Sequence, residues 1–225
     1  MAVIHRTTMS PNKLELLTSW LPGRPWYAGG GREPVLGRGG GFRLDDPAGE
    51  VGIEFFVATD GSGERPVPYL VPLSYRGAPL DGAEHALIGT SEHGVLGTRW
   101  VYDGTHDPVL LAQLLAFVGG GAEAQAQSVS DTPDPSVGVR FTAPDRAAAV
   151  GGARVDGVTD GPHGTDVAVT TDSGPLVLRF ERSPLPEGHV SGAEGLLGHV
   201  TLDWTLPDGT GRRGHAVTVR EPAGA

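Results

Sequence analysis

The chain has no cysteine, so it can build neither a disulfide framework nor a thiolate metal site. It has one lysine, Lys13, whose neighbours place it on the exposed side of a predicted helix. That scarcity excludes a phosphate loop ending in Lys-Ser or Lys-Thr, a Schiff-base lysine on a strand and a kinase-type strand lysine. No apolar run approaches the roughly 20 residues that span a bilayer. The opening Met1-Ala2-Val3-Ile4-His5-Arg6 lacks the apolar core of a secretory signal, so a cytoplasmic location is expected. Positive charge is also short. With 17 Lys and Arg against 27 Asp and Glu, the formal net charge is -10. Nucleic acid and anionic membrane are therefore not expected partners, because both are held by accumulated positive charge.

Turn chemistry is abundant instead, with 36 glycines and 19 prolines in 225 residues. A strand is expected over 3–6, and Ser10-Pro11 reads as a helix start. Leu14, Leu17 and Leu21 share one face of that helix, flanked by Leu16 and Trp20, and Pro22-Gly23 ends it. Strand signals over 42–44, 51–59 and 67–75, joined by Asp- and Gly-rich turns, predict an antiparallel meander, with two shorter strands over 86–88 and 95–102. Asp107-Pro108 opens a second helix whose Leu110, Leu111, Leu114, Leu115 and Val118 should pack on the sheet, and Gly119-Gly120-Gly121 stops it. The stretch 122–136, rich in Ala, Gln, Ser, Asp and Pro, reads as a linker or exposed loop. Six further strands are expected over 137–142, 153–158, 166–171, 176–181, 200–206 and 216–220. The fold class is α+β: a meander with two helices over 1–121, then a mostly β second lobe over 137–225.

Three ordered motifs carry a family resemblance: Trp20-Leu21-Pro22-Gly23-Arg24-Pro25-Trp26-Tyr27-Ala28-Gly29, Tyr69-Leu70-Val71-Pro72-Leu73-Ser74-Tyr75-Arg76, and Arg99-Trp100-Val101-Tyr102-Asp103-Gly104. In this order they resemble the N-terminal cap of the actinobacterial maltokinases. The family pattern carries a lysine near the glycines, whereas this chain reads Gly29-Gly30-Gly31-Arg32. Further on, 164–169 with 176–182 is similar to the hairpin of the kinase intermediate domain, and Arg179 stands where a nucleotide-contacting lysine would be. A guanidinium does not replace an ammonium conservatively at a phosphate. Phosphoryl transfer also needs a positioning aspartate and magnesium ligands, normally supplied by a C-terminal lobe, and the sequence ends at Ala225 before one. The resemblance thus implies a non-catalytic, cofactor-free binding or regulatory module near α-glucan, maltose and trehalose metabolism. Its implied partners are a kinase lobe, a glucan enzyme or a second copy of the chain.

The candidate ligand or partner surface is Trp20, Arg24, Trp26, Tyr27, Arg32, Trp100 and Tyr102. The aromatic members can form a platform for a maltooligosaccharide, or they can close the seam between the first helix and the sheet; the seam is the preferred reading. Glu84-His85, Glu92-His93 and His106 could assemble a metal or acid-base site, but they match no ligand motif, and surface or capping roles are the preferred reading. Asp131 and Asp134 lie in the linker, where two carboxyls cannot be held at a fixed glycosidase separation. Gly37-Arg38-Gly39-Gly40-Gly41 lacks the dinucleotide spacing and reads as a loop or bulged strand.

Overall fold

The computed structural model describes residues 8–129, 131–143, 153–186 and 195–222; the strand predicted over 3–6 lies outside the described residues. The first half contains β1 (Met9–Ser10), α1 (Lys13–Trp20), β2 (Leu36–Leu44), β3 (Gly52–Asp60), β4 (Val67–Arg76), β5 (Leu87–His93), β6 (Gly97–Asp103) and α2 (Pro108–Val118). Then come β7 (Gln125–Ala126), β8 (Gly138–Phe141), β9 (Arg154–Asp160), β10 (Gly164–Thr171), β11 (Gly174–Pro186), β12 (Leu196–Thr205) and β13 (Gly211–Arg220). All join one antiparallel sheet in the order β1-β5-β6-β4-β3-β2-β12-β13-β11-β10-β9, with β7 added to β2 and β8 to β12.

The pleat sorts side chains between two cores. Along β3, Ile53, Phe55 and Val57 enter one and Phe56 and Ala58 the other, the period-two consequence of strand geometry. The larger core surrounds α2. It draws Phe42, Phe55 and Leu70 from the first half together with Val167, Phe180, Val200, Trp204 and Val217 from the second. The sheet curls so that β11 returns against β4. The smaller core lies under α1 and contains Leu17, Leu21, Trp26, Tyr69, Val71 and Val101.

The halves meet at Trp204 opposite Gly40, next to a bulge in β2. Gly41 has φ 121°, and a Cβ there would fall 1.9 Å from the Phe55 carbonyl oxygen, so the glycine run serves this bulged strand. The first part of the stretch 122–136 lies against the first half: β7 pairs Gln125 with Arg43 and Ala126 with Phe42, and Ala124 is buried.

Helix α2 starts as expected. Asp107 accepts from Val109 N at 2.9 Å, with Pro108 in the first turn, and Gly119 ends it. Helix α1 starts later than Ser10. Asn12 Oδ1 accepts from Leu14 N and Glu15 N, and Glu15 Oε2 accepts from Asn12 N at 2.7 Å, a reciprocal capping box, while Ser10 pairs in β1.

Lys13 is not on an exposed face. Its Nζ lies 2.6 Å from Oε1 of the buried Glu54 and 4.6 Å from the centre of the Phe56 ring. It stands four residues before Leu17 and so shares that residue's inward face. Strand β5 also extends past 86–88 to His93.

Candidate functional site

The end of α1 turns sharply through a short 3-10 helix, Leu21–Gly23, which throws Trp26 back under the helix. Trp26 sits 5.7 Å from Trp20 and 6.1 Å from Tyr69, and Tyr27 sits 5.3 Å from Tyr69, measured between ring centres. The tyrosine hydroxyls are engaged, while the buried Trp26 Nε1 has no hydrogen-bond partner: Tyr69 Oη accepts from Ala28 N at 2.9 Å, and Tyr27 donates to Asp60 Oδ2 at 2.7 Å. Burial, followed by the bond to Asp60, pushes the Tyr27 hydroxyl well above the ordinary phenol range. These rings seal the seam between helix and sheet. Tyr69, absent from the candidate set, is central to it, and its place two residues before Val71 on the same face was the available signal.

Arg182 closes the seam from the second half. Its side chain is 1% exposed, and its guanidinium carbon lies 4.6 Å from the Trp26 ring centre. Nη2 donates to Asp103 Oδ2 at 2.5 Å, and Nε donates to Thr165 Oγ1 at 2.7 Å. The Thr165 hydroxyl in turn donates to Asp160 Oδ1 at 2.5 Å, and Asp103 Oδ1 accepts from the Thr105 hydroxyl at 2.9 Å. One buried arginine therefore holds Asp103 directly and Asp160 through Thr165, two carboxylates from different strands.

Both carboxylates open into a cleft of about 240 Å³ lined by Trp20, Arg24, His85, Ala86, Asp103, His106, Val158 and Asp160. The walls come from the end of α1, from the turns flanking the β5–β6 hairpin, and from β9. Hairpin register explains the histidines. Leu87 pairs with Tyr102, so the residues just before β5 and just after β6 emerge at the same end. His85 Nε2 and His106 Nδ1 lie 3.1 Å apart, with rings nearly perpendicular. Burial lowers the His106 pKa below the usual imidazole value, with neighbouring carboxylates opposing and His85 and Arg182 adding to the effect. Arg24 places its guanidinium carbon 4.8 Å from the Trp20 ring centre, and its buried Nε has no hydrogen-bond partner. Among the described residues, no three His, Asp or Glu side chains stand close enough to share a metal ion.

The seven candidate residues do not form one platform. Trp20 and Arg24 line the cleft, while Trp26 lies buried beneath them. Trp100 and Tyr102 pack with Leu80, Ala83, Ala86 and Leu87 in a separate cluster, and the Tyr102 hydroxyl accepts from Leu80 N at 2.9 Å. Alternation explains the split, since Val101 between them faces α1. Arg32 reaches the Ser62 carbonyl at 3.2 Å on the turn after β3. His93 sits at the far end of β5 from His85, and its Nδ1 accepts from Val95 N and Leu96 N, a turn-capping role. In the β10–β11 hairpin, Arg179 Nη1 lies 3.2 Å from Asp166 Oδ1 and its Nε 3.3 Å from Glu181 Oε1. The site residues outside the candidate set are His85, Asp103, His106, Asp160 and Arg182. They are far apart in sequence and come together through hairpin pairing and the return of β11.

The first half of the chain is thus a helix clamped by aromatic rings onto one face of a curled antiparallel sheet. Residues 20–107 match the family model of the maltokinase N-terminal cap domain, so this stretch of the chain is similar to that domain. The matched segment ends at the N-cap of α2, so Arg182, which completes the aromatic seam, lies outside it. No helix among the described residues is long and apolar enough to cross a membrane.

Proposed function

We propose that the chain is a non-catalytic accessory module of maltokinase-linked metabolism of maltose, trehalose and α-glucans, working in the cytoplasm by holding a partner rather than by transferring phosphate. The supporting observation is the surroundings of Arg179. This guanidinium faces Asp166 and Glu181, and Asp166 is shared with Arg220 at 3.0 Å. Two arginines set against two carboxylates form a neutralised cluster, and a polyphosphate approaching it meets negative charge as well as positive. The partner is a kinase lobe, a glucan enzyme or a second copy of the chain, and stable recognition needs roughly 1,200 to 2,000 Å² of buried area. Incubation with magnesium, ATP and maltose should give no phosphorylated maltose, and magnesium-ATP should leave the melting temperature unchanged. ATP-dependent phosphorylation of maltose by the pure chain overturns the proposal.

A second reading, a saccharide-binding protein, is favoured by the cleft beside Trp20 and Arg24. It moves the contact from an extended aromatic platform to a pocket.

A further inference from the structure

We infer that the cleft between the end of α1 and β9 binds one ring of a neutral polyhydroxylated ligand, a free hexose or the terminal residue of a short oligosaccharide. The inference deepens the saccharide reading above and is independent of the protein-partner reading.

Charge decides the ligand class. Asp103 and Asp160 line the cleft with Arg24, and Arg182 stands directly behind Asp103. Two carboxylates stand with two guanidinium groups, and burial favours the neutral form of His106, so the formal balance is near zero. An anion entering this space meets two carboxylates and a cation meets two arginines, so a ligand without net charge has the smaller desolvation penalty. The hydrogen-bonding groups match a polyol. The carboxylates accept from hydroxyls, the Arg24 guanidinium donates, and the histidines do either according to tautomer. Trp20 adds an apolar indole to the lining.

The site is also preorganised. Asp103 is fixed by Arg182 and Thr105, and Asp160 by Thr165, which itself accepts from Arg182. Carboxylates held before the ligand arrives lower the ordering cost of binding. The volume of about 240 Å³ suits one ring, so further residues of an oligosaccharide extend into solvent.

The test is titration of the full chain with glucose, maltose and glucose 6-phosphate, read by tryptophan fluorescence and by two-dimensional NMR of the indole N–H groups, with Trp20→Phe assigning the Trp20 signal. Glucose and maltose should shift the Trp20 signal with similar affinities, and glucose 6-phosphate should bind about tenfold more weakly, the size of one lost polar contact. His85→Ala and Asp160→Asn, with folding checked by melting, should each weaken glucose about tenfold. If maltose binds but neither variant nor the Trp20 signal responds, the cleft assignment fails while the saccharide reading stands. If no sugar binds to the folded chain, both fail. Tighter binding of the phosphate ester overturns the neutral-ligand inference alone.

Discussion

The two faces of the sheet are built from different materials. The side turned to α2 is packed mostly with Leu110, Leu111, Leu114, Phe42, Phe55, Phe180 and Val217, side chains whose burial stabilises without regard to direction, with an Arg76–Asp107 ion pair at the start of the helix. The side turned to α1 buries polar groups along with apolar ones: Glu54 with Lys13, Asp103 with Arg182, and Tyr69 with the Ala28 amide. Directional groups in a water-poor setting fix positions sharply and tolerate little change, because a lost partner leaves a buried charge. The cleft opens on this second side. The difference teaches that the α2 face supplies most of the stability, while the α1 face fixes the geometry a ligand would meet.

That contrast can be broken most directly at Arg182. Arg182→Met removes the partner of a carboxylate that is itself buried, and the expected loss is about 3–5 kcal/mol in urea unfolding. Adding Asp103→Leu should recover part of it, since removing both charges is far less costly than removing one. A single-variant loss below about 1 kcal/mol would mean that water reaches the pair, and the two faces would then not differ in kind. On the other side, Leu114→Ala in the middle of α2 should cost about 2–5 kcal/mol through lost burial and a cavity. It should leave the Trp20 and His106 NMR signals in place, because the apolar core does not orient the cleft. Movement of those signals would show that the faces are coupled through the sheet.

Much of the frame was legible in the sequence, and the reasons are local. Asp107-Pro108 followed by a broad apolar stripe announced α2, and alternating apolar residues between turn clusters announced β2, β3, β4 and the second-half strands. The start of α1 was misplaced because Ser10-Pro11 outweighed the box formed by Asn12 and Glu15. The docking of the first part of 122–136 on β2 escaped because Ala and Gln carry weak strand signals, and the tertiary environment decides such pairings. The cleft was hidden for another reason. His85 and His106 become neighbours only once Leu87 is known to pair with Tyr102, and Asp160 joins them only when β11 and β10 fold back towards β4. Neither step leaves a spacing in the chain.

The smallest expected effect sharpens the comparison through pH. Burial holds the His106 pKa below the ordinary imidazole value, so the unfolded chain takes up this proton at higher pH than the folded chain does. Folded stability contributed by the neutral ring is therefore complete above about pH 6.5 and is lost as pH falls below it towards the folded pKa. Two other shifts act on the same curve. Glu181 has a raised pKa, chiefly from burial, so its protonation favours the folded state as pH falls and partly offsets His106. Burial is the largest influence on Asp107 and raises its pKa, but the bonds and charge of Arg76 with the other hydrogen bonds Asp107 accepts together lower it, so its contribution is lost only at more acidic pH, below the ordinary carboxylate value. Melting temperatures between pH 7.5 and 5 should therefore fall less steeply for His106→Gln than for the parent chain. Parallel curves throughout would mean that His106 titrates as it does in the unfolded chain. The cleft wall would then be as wet as open surface, and the α1 side would lose its claim to a water-poor polar site.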